Sequence, residues 1–176
     1  MKIAKVLVTE EQIDARLAEL GAQITADYAG EAPILVGVLK GAFMILADLM
    51  RHIELPVEMD FMAVSSYGDS TKTSGVVRIL KDLDSEIEGR HIILVEDIID
   101  SGLTVDYLIN NLSVRRPASI ELAALLVKAG LQHVPLDVKY EGFSIPPDFV
   151  VGYGLDHLGR LRNLPYVAVL EEHSLS

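Results

Sequence analysis

Between His91 and Thr104 an apolar run stops at two adjacent carboxylates and passes into a short loop of hydroxyl-bearing and small residues, His91-Ile-Ile-Leu-Val-Glu-Asp-Ile-Ile-Asp-Ser-Gly-Leu-Thr104. Ile92 to Val95 have the largely β-branched, uninterrupted hydrophobicity of a strand covered on both faces, the usual appearance of a parallel strand in an α/β protein. Glu96, Asp97 and Asp100 then put three negative charges within five residues, which is unfavourable unless a metal, hydroxyls or cationic groups offset them. Asp100, Ser101, Gly102 and Thr104 supply hydroxyls, a flexible backbone position and amides just before the helical stretch Val105 to Arg115. Unpaired amides and the positive end of a helix dipole converge there, a geometry that suits an anion. A ligand with hydroxyls beside a phosphate, such as a ribose 5-phosphate, satisfies both halves.

The rest of the chain alternates strand and helix. Thr9-Glu-Glu-Gln12 is a capping box, and Ile13, Leu17, Leu20 and Ile24 follow at helical spacing. Pro33 and the run Ile34 to Leu39 predict a strand, Gly41 opens a second helix to about Ile53, and Val57 to Ser65 predicts another strand. A strand at 91–96, a helix at about 104–115, the apolar run Ile120 to Val127, and strands near Phe149 to Tyr153 and Tyr166 to Leu170 complete the pattern. Such alternation predicts an α/β fold with a mostly parallel sheet and helices on both faces. Ligands in such sheets sit at the carboxyl ends of the strands. With 176 residues, half of them apolar, and no linker or repeat, the chain reads as one domain over 1–176. The segment Ser65 to Gly75 is polar without an apolar anchor and predicts a mobile loop.

Charge and composition narrow the function. A net charge of −11 opposes nonspecific binding to nucleic acid, which draws its affinity from Lys and Arg on phosphates. The absence of cysteine removes disulfides, thiolate chemistry and cysteine-bound metal. The apolar run at the N-terminus is too short for a signal peptide, and the stretch Ile34 to Met50 is broken by Lys40 and Asp48, a poor membrane span. The expectation is a cytoplasmic protein with no membrane or nucleic-acid partner.

Val95-Glu-Asp-Ile-Ile-Asp-Ser-Gly-Leu-Thr104 resembles the signature of purine phosphoribosyltransferases that bind phosphoribosyl pyrophosphate (PRPP). Leu39-Lys-Gly-Ala42 resembles that family's pyrophosphate loop, Ser66-Tyr67 its mobile-loop signature, and Asp148-Phe-Val-Val-Gly-Tyr-Gly-Leu-Asp156 with Arg162 its base and pyrophosphate segment. Order and spacing over nearly the whole chain are similar to the 6-oxopurine branch, which acts on hypoxanthine. The resemblance implies a twisted, mostly parallel sheet, a small hood formed by the terminal segments, and assembly as a homodimer or homotetramer. It implies transfer of the phosphoribosyl group of PRPP to N9 of hypoxanthine or guanine, with Mg2+ as cofactor. Glu96 and Asp97 would face the ribose hydroxyls, and Ser101, Gly102 and Thr104 would hold the 5-phosphate. Asp100 would face N7 of the purine and move a proton. Lys40, Gly41 and Arg162 would meet pyrophosphate; Glu96, Asp97 and Asp156 would serve the metal. Lys128 would donate to the exocyclic oxygen, Phe149 would stack on the base, and the backbone of Val150 would address its edge.

The chain departs from the family pattern in places. Leu103 lacks the lysine of some relatives, Ala42 replaces a residue that is often glycine, and Ala129 follows Lys128 where proline is usual. Each site residue also has a plainer reading: a solvated acidic turn at 96–100, strand-end lysines at Lys40 and Lys128, a core Phe149, an ion pair between Asp156 and Arg162. Gly152-Tyr-Gly154 lacks the third glycine of a dinucleotide fingerprint, and Gly154 to Leu161 lacks the Lys-Ser/Thr of a Walker loop. The five histidines have no zinc spacing. Two rival readings are a xanthine-preferring phosphoribosyltransferase and a nucleotide-sensing regulator that binds RNA on the same fold.

Overall fold

The computed structural model describes residues 2–66 and 77–171. In chain order the elements are β1 (Ile3–Val8), α1 (Glu10–Asp27), β2 (Ile34–Leu39), α2 (Phe43–Arg51), β3 (Glu58–Ser66), β4 (Val77–Lys81), β5 (His91–Ile99), α3 (Leu103–Ser113), β6 (Ser119–Lys128), β7 (Tyr140–Ile145), β8 (Val150–Val151) and β9 (Val167–Leu170). The main sheet has the order β4-β3-β2-β5-β6-β7. All its pairings are parallel except that of β3 with β4. β1, β9 and β8 form a separate antiparallel sheet from the two ends of the chain.

Alternation of side chains along the strands divides the core in two. Leu35, Ile93, Val95, Ala123 and Leu125 pack with Ile13, Leu17, Leu20 and Ile24 of α1 and with Ile45, Leu46 and Leu49 of α2. Their neighbours Ile34, Val36, Ile92, Leu94, Leu122 and Ala124 pack with Val105, Leu108 and Leu112 of α3. The mostly parallel sheet with helices on both faces is therefore as expected, with two helices on one side and one on the other. The capping box is also present: Thr9 Oγ1 accepts from the Gln12 amide and Gln12 Oε1 accepts from the Thr9 amide. At the β7 edge the Arg16 guanidinium takes the carbonyls of Glu141 and Gly142 at 2.8 to 3.3 Å, which blunts an otherwise open edge.

Several boundaries differ from expectation. β5 does not stop at Glu96 but continues to Ile99, in register with β6 through Ile98–Leu126 and Ile99–Val127. The carboxylates thus lie inside a strand. The alternation shifts by one residue at that level: Ile98 packs on the α1/α2 side and Ile99 on the α3 side, the reverse of the rule obeyed up to Val95. In β6 the same shift falls between Leu125 and Leu126. The second helix begins at Phe43 and ends at Arg51, and the strand expected at 149–153 is only Val150–Val151. β1, β4 and β7 were not foreseen, being short and either mixed in polarity or, like β7, interrupted by a glycine. Of the expected loop at 65–75, Ser65 and Ser66 belong to β3 and the remainder, with Tyr67, lies outside the described residues. Among the described residues no helix is long and apolar enough to cross a membrane.

Candidate active site

Glu96 and Asp97 follow the buried run of β5 where its alternation shifts, and both reach the same cleft. A cleft at the carboxyl side of the sheet is lined by Gly41, Glu96, Asp97, Asp100, Ser101, Gly102 and Thr104. A second cleft is lined by Asp97, Asp100, Lys128, Phe149, Val150, Asp156 and Arg162. Asp97, Ile98 and Asp100 are common to both. The short β5–α3 connection turns through Gly102, whose left-handed backbone (φ 82°) starts α3 without a side-chain cap. Apart from the Leu103 amide, which donates to Ser101 Oγ at 3.4 Å, the first turn of the helix is left able to donate its amides to an anion.

Glu96 is 6 % exposed and accepts no hydrogen bond among the described residues. Burial, and then the negative charge of Asp97, push its carboxyl well above the usual carboxylate range. Burial also raises Asp97, to about 6, against the opposing pull of the Ile98 amide, its own amide and the positive charge of Arg162. Two carboxylates that hold protons this firmly are short of positive charge. Among the described residues no three acidic or histidine side chains close into a cation cage. Carboxylate oxygens are the donors a hard cation takes, and one bound here would have to complete its shell with oxygens from a ligand, the habit of magnesium.

Close backbone packing fixes the Asp97 carboxylate. A Cβ added to Gly41 would overlap it, and a Cβ added to Gly154 would overlap the Gly41 carbonyl. The turn after β2 and the loop after β8 are therefore pressed together behind Asp97. Gly41→Ala is expected to cost about 1–3 kcal/mol of stability, because its methyl enters occupied space. A urea midpoint equal to that of the wild type would show that the turn yields freely.

In the second cleft Lys128 Nζ lies 2.9 Å from Asp100 Oδ2, with the lysine mostly buried and the aspartate half-exposed. Arg162 pairs with Asp156 at 2.5 Å and donates to the Gly154 carbonyl. Asp156 also accepts the Gly159 amide at 2.7 Å. The ion pair foreseen as their plainer reading does form, and both members still line the cleft. Phe149 is 44 % exposed, too open for a core residue, and His157 meets its ring edge-on at a centroid distance of 5.6 Å. Val150 is buried in β8.

Of the expected site residues, Lys40 alone among those described with side chains is not brought in. It is exposed and lines neither cleft, and the turn reaches the first cleft through Leu39 and Gly41. Three contributors were not foreseen. Gly154 carried a signal, since two glycines flanking an aromatic mark a tight turn. His157 has no zinc spacing to mark it and enters as a packing partner of the Phe149 ring. Gln132, whose amide donates to the Lys128 carbonyl at 2.6 Å, had no sequence signal at all.

The comparisons agree with this geometry. A profile of the phosphoribosyl transferase domain matches residues 7–158. The hypoxanthine-guanine phosphoribosyltransferase of Bacillus subtilis (strain 168) is 50 % identical over 169 residues, which are 96 % of this chain and 94 % of that protein. That of Mycobacterium avium is 51 % identical over 96 % of this chain and 86 % of its own. The crystal structure of a hypoxanthine phosphoribosyltransferase from Staphylococcus aureus superposes with a TM-score of 0.96 at 42 % identity, covering 99 % of this chain and 95 % of that one. Adjoining clefts, one edged by carboxylates and helix amides and the other by an aromatic ring and a lysine, are thus carried on a sequence whose match extends over most of its length, and the chain belongs to the phosphoribosyltransferase family.

Proposed function

We propose that the chain transfers the phosphoribosyl group of PRPP to N9 of hypoxanthine or guanine, releasing pyrophosphate and giving the nucleoside monophosphate, a step of purine salvage. The observation that carries this reading is the wall shared by the two clefts, formed by Asp97, Ile98 and Asp100. A ribose in one cleft and a base in the other meet there, and the relatives are named for this reaction.

Glu96 and Asp97 face the ribose diol, while Ser101, Gly102, Thr104 and the first turn of α3 hold the 5-phosphate. Gly41 and Arg162 receive pyrophosphate, joined by Lys40 if its exposed side chain folds inward. Glu96, Asp97 and Asp156 are the residues that would hold magnesium, which would supply positive charge to the leaving pyrophosphate. Phe149 stacks on the purine, a contact worth about 1–3 kcal/mol per base in single-strand recognition. Val150 offers backbone to the base edge, and Lys128 donates to the 6-oxygen, which disfavours the amino group of adenine. Asp100 accepts the proton that N7 surrenders as N9 attacks carbon 1. Positioning and fixed charge provide most of the rate enhancement. The sheet β1-β9-β8 acts as the hood that brings Val150 to the base. The working assembly is a homodimer or homotetramer in the cytoplasm.

The test is pyrophosphate release from PRPP and magnesium with hypoxanthine, guanine, xanthine, adenine and uracil in turn, beside a control without base. Release with hypoxanthine or guanine and formation of the matching monophosphate is the expected result. Preference for xanthine would move the specificity, and PRPP binding without transfer to any base would favour a regulator.

A further inference from the structure

The loop that carries Asp156 and Arg162 is anchored to the α2 side of the molecule at two adjacent residues. One anchor is Gly154 against the Gly41 carbonyl. The other is Tyr153, whose ring is 5 % exposed in the core and whose hydroxyl donates to Asp48 Oδ2 on α2 at 2.5 Å. Tyr153 has a left-handed backbone (φ 47°) between two glycines in the same region. A bulky residue adopts that conformation at a cost, so something must hold it there. Its amide donates to the Leu164 carbonyl at 2.8 Å, and the next amide, of Gly154, donates to the Arg162 carbonyl at 3.0 Å. Arg162 returns its guanidinium to the Gly154 carbonyl. One residue therefore separates the Tyr153 anchor from both Gly41 and Arg162.

Helix α2 is the common support. It begins directly after the Lys40–Ala42 turn and, at its sixth residue, presents Asp48 to Tyr153. Asp48 is not a buried charge demanding a partner: its side chain is 40 % exposed, with the Arg51 guanidinium at 3.8 Å. Burial, then the bond to Asp48 and the charges of Asp48, Asp14 and Glu10, keep the Tyr153 hydroxyl protonated well above its usual range. It remains a donor throughout the working pH range.

We propose that Asp48 and Tyr153 are positioning residues for the pyrophosphate half of the site, seating Gly154 on Gly41 so that Arg162 stays beside Asp97. The inference rests on the PRPP-dependent reading above. It predicts a ligand-selective defect, since neither Asp48 nor Tyr153 lines the ribose-phosphate cleft, which β5 and the start of α3 build with only Gly41 at the edge shared with this anchor.

The experiment is calorimetric titration of the full chain with PRPP plus magnesium and, separately, with inosine monophosphate, which lacks pyrophosphate. Tyr153→Phe and Asp48→Ala are each expected to weaken PRPP binding about five- to tenfold, the scale of one hydrogen bond to a charged group. Affinity for the monophosphate and the melting temperature should stay at wild-type values. Asp48→Asn retains an acceptor and should restore most of the loss, and the Tyr153→Phe/Asp48→Ala double variant should be no weaker than either single one. Equal losses for both ligands with a falling melting temperature would reduce the pair to a structural contact and overturn the proposal. So would unchanged PRPP binding in both single variants. Failure of the wild-type chain to bind PRPP would overturn the proposed function together with this inference, whereas wild-type binding with unaffected variants overturns the inference alone.

Discussion

Replacing Asp100 by asparagine is expected to lower turnover about 100- to 10,000-fold, the range associated with losing a positioned general base. PRPP affinity should change by no more than about threefold, because the lost interaction belongs to the chemical step. The substitution preserves shape. Asparagine can still present an oxygen to Lys128 Nζ, which lies 2.9 Å from the aspartate now, so the gap between the two clefts need not open. What disappears is a group able to take a proton from N7. Steady-state kinetics with hypoxanthine, together with PRPP titration, would separate the two effects. Turnover near that of the wild type would remove Asp100 from the chemistry and leave it as the partner that orients Lys128.

Asp97→Asn should do something less intuitive and make the ligand-free chain more stable at neutral pH while weakening PRPP binding at least about tenfold in the presence of magnesium. The carboxyl of Asp97 holds its proton up to about 6 in the folded chain, against 3.8 for an ordinary aspartate. Between these values the unfolded chain gives up the proton first, so stability falls as pH rises through that window, and the whole penalty is present above it. The neutral amide never incurs it. A gain of about 1–3 kcal/mol is expected near pH 7.5 and almost none near pH 4, since one pK unit corresponds to about 1.4 kcal/mol. Urea melts of both proteins at the two pH values provide the test. A loss of stability at both, or an equal gain at both, would mean that the burial of the charge is not what destabilises the site.

The sheet and the two-sided core were readable because apolar runs and helical spacing are local signals. Ile92 to Val95 and Leu122 to Leu125 announce buried parallel strands whatever surrounds them, and Thr9 with Gln12 announces the start of α1. The extent of β5 was not readable, since a sequence rule ends a strand at charged residues, whereas a central strand keeps its pairing where a cleft opens beside it. Most of the expected site residues do converge, because they sit at fixed offsets from strand ends. The supporting contacts were hidden for another reason. Gly41 against Asp97, Gly154 against Gly41, Tyr153 against Asp48 and Gln132 against Lys128 depend on how separate loops meet in space, and no pattern within either loop encodes the meeting.

The small terminal sheet has a consequence for how the chain becomes competent. β9 is its middle strand, so neither β1, made first, nor β8, which carries Val150, has a partner within that sheet until Val167–Leu170 exists. The pairing of Ile3 with Leu170 spans nearly the whole described chain, the kind of contact that closes late. During synthesis the central sheet and its carboxylates can assemble on the ribosome well before the base has a place to dock. A chain lacking Val167–Leu170 would thus be expected to retain the phosphate-side cleft and yet be unable to consume purine, which makes β9 the strand that couples the two halves of the site.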